Sequence, residues 1–411
     1  MNDVQPSEME SWSFLENTVT RAMEMFGYEQ IRTPIVEKTE LFIRSLGTTT
    51  DIVEKEMYTF KDNLNGESLT LRPEGTAACV RSAVQNNLLY ESGKRLWYMG
   101  PMFRHERPQR GRFRQFNQIG VEALGFAGYQ VDVEHLIMNK KILEGLGLKD
   151  IKLEINCLGD RQSRDKFKAE LVRYLQKHID DLDDHSRKRL NTNPLRILDS
   201  KNKKTRGVVE KGPKIAEFLS DVSSANFQAI RSTLDHLGID HTVNHFLVRG
   251  LDYYNDLIYE WKTSELGAQG TVSAGGRYDG LFQQLGGKPN VACGFAIGME
   301  RILELLKVKD LEVPERSADV YLVYEIGTAM DFAWEVAETL RSQGISVIFN
   351  YSGGKFRSQM RRANSSGARY AIILGESEVN KRMVVLKPLR SRDIQQSIPL
   401  NSVQNKILKG R

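Results

Sequence analysis

The sequence predicts an α+β chain: a large domain on an antiparallel sheet, interrupted by a helical insertion, then a small α/β domain. Three observations carry this. Residues 94–122 are short apolar segments around a charged turn, the pattern of a long antiparallel hairpin. From Arg161 to Leu237 strand-like alternation disappears, aromatics thin out, and Lys, Arg, Asp and Glu dominate. From Asp319 onward strand-like and helix-like segments alternate cleanly.

The elements follow in order. Glu8–Phe26 repeats apolar residues (Trp12, Leu15, Val19, Ala22, Met23, Phe26) at helical spacing, and Gly27 sits where a helix stops. Tyr28–Val36 reads as one strand, with Pro34 at an edge or an interface. A helix is expected from about Pro73 to Tyr90, then the hairpin, then a helix from Asp132 to Leu146. After the insertion come strands at Leu257–Trp261 and Thr271–Ala274, a glycine-rich turn, and a helix from about Ala296 to Leu306. Charged residues 307–316, with Pro314, read as a linker. The expected domains are therefore 1–316, with the insertion at about 161–237, and 317–411. In the second domain, strands are expected at 319–324, 345–350, 370–374 and, last, 383–386, with helices at 330–342 and 355–364.

At 411 residues there is apolar material for more than one core. Composition narrows the function classes. No stretch is apolar enough to span a bilayer and the first residues lack a secretion signal, so a cytoplasmic protein without membrane attachment is expected. Three scattered cysteines, Cys79, Cys157 and Cys293, suit neither a disulfide framework nor a thiolate metal site. The net charge of +5 is unevenly spread: from Arg316 onward there are 15 basic residues against 8 acidic, and the remainder carries −2. A basic C-terminal quarter implies a polyanionic partner. Phosphate loops of the G-x-x-x-x-G-K-[ST] and G-x-G-x-x-G types are absent, so side chains must handle any phosphate.

The segment from Phe103 to Phe116 holds five arginines with Phe113 and Phe116 interleaved. It reads either as a solvated hairpin tip with paired charges, or as guanidinium forks for phosphate oxygens with a ring for a base to stack on. The order Arg104, Glu106, a turn, then Phe116 and Glu122 on the returning strand resembles motif 2 of class II aminoacyl-tRNA synthetases. The run Gly294-Phe295-Ala296-Ile297-Gly298-Met299-Glu300-Arg301 resembles motif 3, and the first helix with the strand ending at Pro34 resembles motif 1. The segments 247–254 (LVRGLDYY) and 274–281 (AGGRYDGL) resemble signatures of the histidyl members, as do 71–76 (LRPEGT) and 193–201 in the insertion. The chain is thus identified as a member of the histidyl-tRNA synthetase family, bacterial type, along essentially its whole length.

That resemblance implies a class II fold and a C-terminal anticodon-binding domain. It also implies ATP-dependent activation of histidine followed by transfer to tRNA(His), with Mg2+ arriving on the ATP phosphates. By the same resemblance, Glu74, Thr76 and Gln118 hold the amino end of histidine. Glu122 and Tyr254 hold the imidazole, with Tyr253 and Tyr278 beside it. Arg104 and Arg249 grip the α-phosphate and carboxylate, Glu106 and Phe116 seat the adenine, and Arg112 and Arg301 reach the outer phosphates. Arg104, Arg249 and Arg301 are the catalytic candidates. Arg107 and Gln109 would touch the acceptor end of the tRNA, and the helix bearing Lys355, Arg357, Arg361 and Arg362 would approach the anticodon stem. Motif 1 implies a homodimer. The residue types suit the chemistry: neutral imidazole has one donor and one acceptor nitrogen, which a carboxylate and a hydroxyl satisfy. Taken singly, Glu74 also reads as a helix N-terminal acid and the tyrosines as core. No metal-binding residues are expected from the spacing of the seven histidines. Asn117 departs from the family, where histidine is common. A non-catalytic relative resembling the regulatory subunit of ATP phosphoribosyltransferase, and a stand-alone RNA-binding protein, are the alternatives.

Overall fold

The computed structural model describes every residue except Thr49, Pro108, Ala268, Gln269, Glu315, Arg316, Thr328 and 409–411. It divides into two compact units, Met1–Val313 and Pro314–Arg411. Arg316, where the sequence places the domain limit, lies outside the described residues.

In the first unit, α1 (Met9–Phe26) buries Trp12, Leu15, Val19, Ala22 and Met23 along one stripe, and Gly27 ends it at φ 71°. The single strand expected over 28–36 is instead broken. β1 (Glu29–Gln30) pairs parallel at an edge of the main sheet, and beyond Pro34, which has no N–H for a ladder, β2 (Val36–Lys38) joins another sheet. After α2 (Thr39–Leu46), β3 (Tyr58–Lys61) and β4 (Ser68–Leu71) complete that small sheet in the order β2-β4-β3. It has no counterpart in the sequence-based expectation. Helix α3 spans Thr76–Gln85, shorter than 73–90. Glu74 takes the N–H groups of its first turn, and Asn87 at φ 50° follows its end.

The hairpin of β5 (Lys94–Phe103) and β6 (Gln115–Leu124) forms as expected, with Leu96 opposite Glu122 and Phe103 opposite Gln115. Then come α4 (Gln130–Gly145) and β7 (Lys152–Cys157). Residues 161–237 are helical: α5 (Arg161–Gln176), α6 (Asp184–Thr192), α7 (Lys203–Glu210) and α8 (Asp221–His236). Each is N-capped by a side chain, from Asp160, Asp183, Asn202 and Ser220 respectively. The last of them packs apart from the others. Ile230 and Leu234 of α8 join the core of Leu136 and Ile142 on α4, whereas Phe167, Leu171, Leu190 and Val209 of α5–α7 lie in a second cluster.

β8 (His241–Val243) returns parallel to β7, followed by β9 (Asn255–Lys262), β10 (Thr271–Arg277), α9 (Leu281–Gln284), β11 (Ala292–Gly298) and α10 (Met299–Val308). Residues 296–298, expected to open a helix, are the end of β11, because Phe295 and Ile297 alternate into the core as strand residues. The sheet order is β1-β5-β6-β11-β10-β9-β7-β8. Its two-residue period sorts the side chains. Trp97, Ile119, Val121, Tyr259 and Trp261 enter one core, while Leu96, Tyr98, Leu124 and Ile258 enter the other. Glu122, Gln118 and Glu260 share the parity of the second set, which fixes the face that carries the site.

The second unit starts with β12 (Val320–Tyr324) and α11 (Met330–Ser342), at the expected places. β13 (Val347–Ile348) is only two residues of the expected 345–350. After it come α12 (Phe356–Ser365), β14 (Tyr370–Leu374), α13 (Glu376–Lys381) and β15 (Met383–Pro388). The sheet does not stop there: β16 (Gln396–Pro399) adds an edge, and α14 (Val403–Leu408) buries Val403 and Ile407. With one buried-side apolar residue, Ile398, and a proline, β16 has little strand pattern to read. No helix among the described residues is long and apolar enough to cross a membrane.

Candidate active site

One cavity of about 1010 Å³ opens on the sheet face of the first unit. It is lined by Glu74, Thr76, Arg104, Glu106, Arg112, Phe116, Gln118, Arg249, Tyr253, Tyr254, Tyr278 and Arg301, and by α6 and the segment after it (His185, Arg189, Arg196, Lys201). Segments far apart in sequence therefore converge, and each arrives for a local reason.

At the closed end, Glu74 precedes α3 and accepts from the backbone N–H of Thr76 at 2.7 Å and Ala77 at 2.9 Å. It is a helix cap and a cavity-lining carboxylate at once. Glu122, on β6, lies just beneath the floor and is 1% exposed. Its carboxylate accepts from the hydroxyls of Thr76 (2.8 Å), Tyr98 (3.1 Å) and Tyr278. Burial pushes Glu122 up to about 8, against the pull of these donors, and burial also raises Glu74. Burial holds the phenols of Tyr98 and Tyr278 well above their ordinary range, so both remain donors. Gly294 lies opposite Glu122 on β11, and a Cβ there would sit 2.0 Å from the Glu122 oxygen. That glycine makes room for a protein carboxylate rather than for a ligand. Gly75 and Gly120 likewise clear the ring of Tyr98. Tyr253, Tyr254 and Tyr278 form a wall with ring centroids 4.6 to 6.2 Å apart. Gln118 Oε1 is buried with no hydrogen-bond partner among the described residues, an acceptor left for a ligand.

The other end is cationic. Arg104 donates to the Pro73 carbonyl at 2.8 Å and lies 5.3 Å over the Phe116 ring. Glu106 pairs with Arg112. Arg301, from the first turn of α10, donates to the Thr271 carbonyl at 2.6 Å. Burial, then the charges of Arg112 and Arg104, push Arg301 down to about 10. Burial works against the Arg249 charge too, but Glu260 with Tyr254 and Tyr253 together outweigh it and raise the pKa. Asn117 clamps the Glu300 carboxylate through its backbone N–H at 2.8 Å and its amide at 3.1 Å.

The two tRNA candidates stand apart. Arg107 and Gln109 are exposed and do not line the cavity, and Gln109 bridges to Arg112. In the second unit Lys355, Arg357 and Arg361 are exposed, while Arg362 is tied to the Gly353 carbonyl. Two residues that shape the site, Tyr98 behind Glu122 and Glu260 in the cavity wall, were not singled out from the sequence. Tyr98 was hidden in an apolar strand, although Gly120 opposite it is a signal of close packing. Glu260, in the run Leu257-Ile258-Tyr259-Glu260-Trp261, is a charge where the pattern asks for an apolar residue. Among the described residues no group of three His, Cys, Asp or Glu is placed to hold a metal. The buried cysteines are free.

Comparison with known proteins agrees with this geometry. Residues 1–302 match the family model described as histidyl-tRNA synthetase, and 319–410 that of an anticodon binding domain. The histidine–tRNA ligase of Burkholderia pseudomallei (strain 668) is 53% identical, across 98% of this chain and 93% of its own. That of Nitrosomonas europaea is 52% identical, across 95% and 93%. The crystal structure of apo S. aureus histidyl-tRNA synthetase superposes with a TM-score of 0.83 at 34% identity, covering 99% of this chain and 98% of that one. A Bacillus halodurans protein described as an ATP phosphoribosyltransferase regulatory subunit/histidyl-tRNA synthetase shares the fold, at 22% identity and a TM-score of 0.65, over 91% of this chain and 97% of that one. With its paired carboxylates, tyrosine wall and converging arginines set on this sheet, the chain belongs to the histidyl-tRNA synthetase family.

Proposed function

We propose that this chain is a histidine–tRNA ligase that makes histidyl-adenylate from histidine and ATP and then charges tRNA(His). One observation carries the reading: a buried carboxylate floor and a cluster of arginines share one cavity. Histidine lies at the closed end, its amino group toward Glu74, Thr76 and the unpaired Gln118 oxygen. Its ring nitrogen proton points to Glu122, with Tyr254 and Tyr278 closing over it. Its carboxylate attacks the α-phosphorus of ATP and pyrophosphate leaves. Arg104 and Arg249 stabilise the charge that builds there, and Arg112 and Arg301 hold the outer phosphates. Phe116 offers a face to adenine, and Glu106, backed by Arg112, an acceptor for its amino group. A terminal ribose hydroxyl of the tRNA then takes the acyl group and AMP departs.

Magnesium would enter on the triphosphate, neutralising its charge and held largely by phosphate oxygens and water. Arg107 and Gln109, exposed in the turn of the β5–β6 hairpin, are the candidates for the acceptor end, and the exposed basic residues of α12 for the anticodon stem. A homodimer is supported by the exposed apolar side chains Ile35, Val36 and Phe60 around β2 and β3. A cytoplasmic location accords with all of this chemistry.

The test is ATP–pyrophosphate exchange with each standard amino acid in turn and no tRNA. Exchange with histidine alone is expected. Histidine binding without exchange would instead establish a sensor that has lost the activity.

A further inference from the structure

The two arginines placed at opposite ends of the triphosphate are joined by one carboxylate. Glu260, on β9, is 9% exposed and pairs with Arg249. Its other oxygen accepts from the Thr271 hydroxyl at 2.9 Å, and the carbonyl of that same Thr271 accepts from Arg301 at 2.6 Å. Thr271 thus receives Arg301 on its backbone while its side chain holds Glu260, which holds Arg249. Across the ladder Glu260 sits directly opposite Glu154 on β7, a like-charge pairing that costs stability unless bridged. Lys262 bridges it, lying 3.0 Å from Glu260 and 2.9 Å from Glu154. Burial alone would favour a neutral Glu260, but Arg249 and Lys262 outweigh it, so Glu260 stays ionised.

The pairing has a direction. Arg249 meets Glu260 through one terminal nitrogen, while its Nε is buried with no partner among the described residues. One edge of the guanidinium is held and a donor is left for an anion. We infer that Glu260, through Arg249 and Thr271, is the positioning residue that sets both nucleotide-gripping arginines for adenylate formation, and that Lys262 keeps it from the opposing Glu154. This rests on the assignment of Arg249 and Arg301 to ATP made above. Glu260 touches neither substrate. It acts by fixing the guanidinium planes before the charge on the α-phosphate develops, which is where a preorganised donor contributes most.

The experiment is histidine-dependent ATP–pyrophosphate exchange by wild type, Glu260→Gln and Thr271→Val. ATP and the two diastereomers of its α-phosphorothioate serve as substrates, with active sites titrated by adenylate burst. Glu260→Gln keeps the size but not the charge. Its kcat is expected to fall about tenfold or more with KM for ATP within about threefold, and the wild-type preference between diastereomers should shrink, because a misplaced Arg249 no longer reads the α-phosphate oxygens. Thr271→Val, which leaves the backbone carbonyl to Arg301, should show the same pattern at smaller size. A merely structural role would lower the fraction of active sites and the Tm while leaving kcat per site and the diastereomer preference as in wild type. That outcome in either variant overturns the inference. Failure of the wild type to exchange with histidine would overturn the assignment beneath it, and so is told apart.

Discussion

The two ends of the cavity are built on opposite physics. At the closed end, two buried carboxylates face hydroxyls and backbone N–H groups, and no cation pairs directly with Glu122 among the described residues. At the open end, four arginines converge and carboxylates serve as their braces. A closed end made of fixed hydrogen bonds discriminates, since an analogue lacking the right donor leaves buried groups unpaired. An open end made of guanidiniums binds any polyphosphate well and contributes chiefly when charge develops. The difference teaches where specificity and rate reside. Substitutions at the closed end should read out in the choice of amino acid, and those at the open end in kcat.

The sharpest break of the contrast is Glu122→Gln. An amide offers its own donors to Thr76, Tyr98 and Tyr278, so one end of it cannot be satisfied. We expect kcat/KM for histidine to fall about 10³-fold while KM for ATP changes little, measured by exchange. The same variant has a pH signature. The folded pKa of about 8 lies above the ordinary 4.5, so the folded state holds this proton more tightly than the unfolded chain. The stability so gained is complete below about 4.5 and is lost as pH rises through 8. The gap in unfolding free energy between wild type and Glu122→Gln should therefore change across that window, by at most about 1.4 kcal/mol per unit. Equal slopes for the two proteins between pH 5 and 8 would show that Glu122 is already ionised at low pH.

At the open end, Arg249→Ala should lower kcat for adenylate formation about 10²-fold, the size expected for one preorganised donor, with a much smaller loss of histidine affinity from its carboxylate contact. Equilibrium binding of histidine without ATP separates the two. Loss of histidine binding in this variant would mean that the two ends are not independent.

How much of this contrast the sequence displays follows from the same physics. The hairpin of β5 and β6, the helices α1, α4 and α11 and the helical insertion are long and periodic, and their spacing reveals them. β1, β2 and β13 are two or three residues each, too short for any period to register, and they exist because neighbours already present an edge. Glu122 shows how far a residue pattern reaches. Its identity follows from resemblance, but its burial under Tyr278 and its third donor, Tyr98, depend on Gly294 and Gly75 clearing space on two other segments and on Gly120 doing so two residues back on the same strand. Of these only Gly120 is local to Glu122. Glu260 was legible in principle as a charge inside an apolar run, yet its partner Thr271 lies beyond the strand turn, and the β9–β10 ladder, which sets Thr271 opposite Lys262, brings its hydroxyl to Glu260 two residues along.

The smallest effect concerns a region that belongs to neither end. Arg107 and Gln109 are exposed at the hairpin tip, outside the cavity wall, and the bridge from Gln109 to Arg112 is through backbone. Replacing either with Ala removes no contact of the carboxylate floor or of the arginine cluster. Exchange should therefore proceed at the wild-type rate, while transfer to tRNA in a single-turnover reaction from preformed adenylate slows by up to about tenfold, the range of one or two lost polar contacts. The two side chains also differ in kind. Loss of Arg107 removes a charge, so its effect should shrink as salt rises, whereas loss of Gln109 should cost the same at every ionic strength. Unchanged transfer in both variants would remove the hairpin tip from the tRNA site and leave tRNA recognition to the insertion and the basic C-terminal unit.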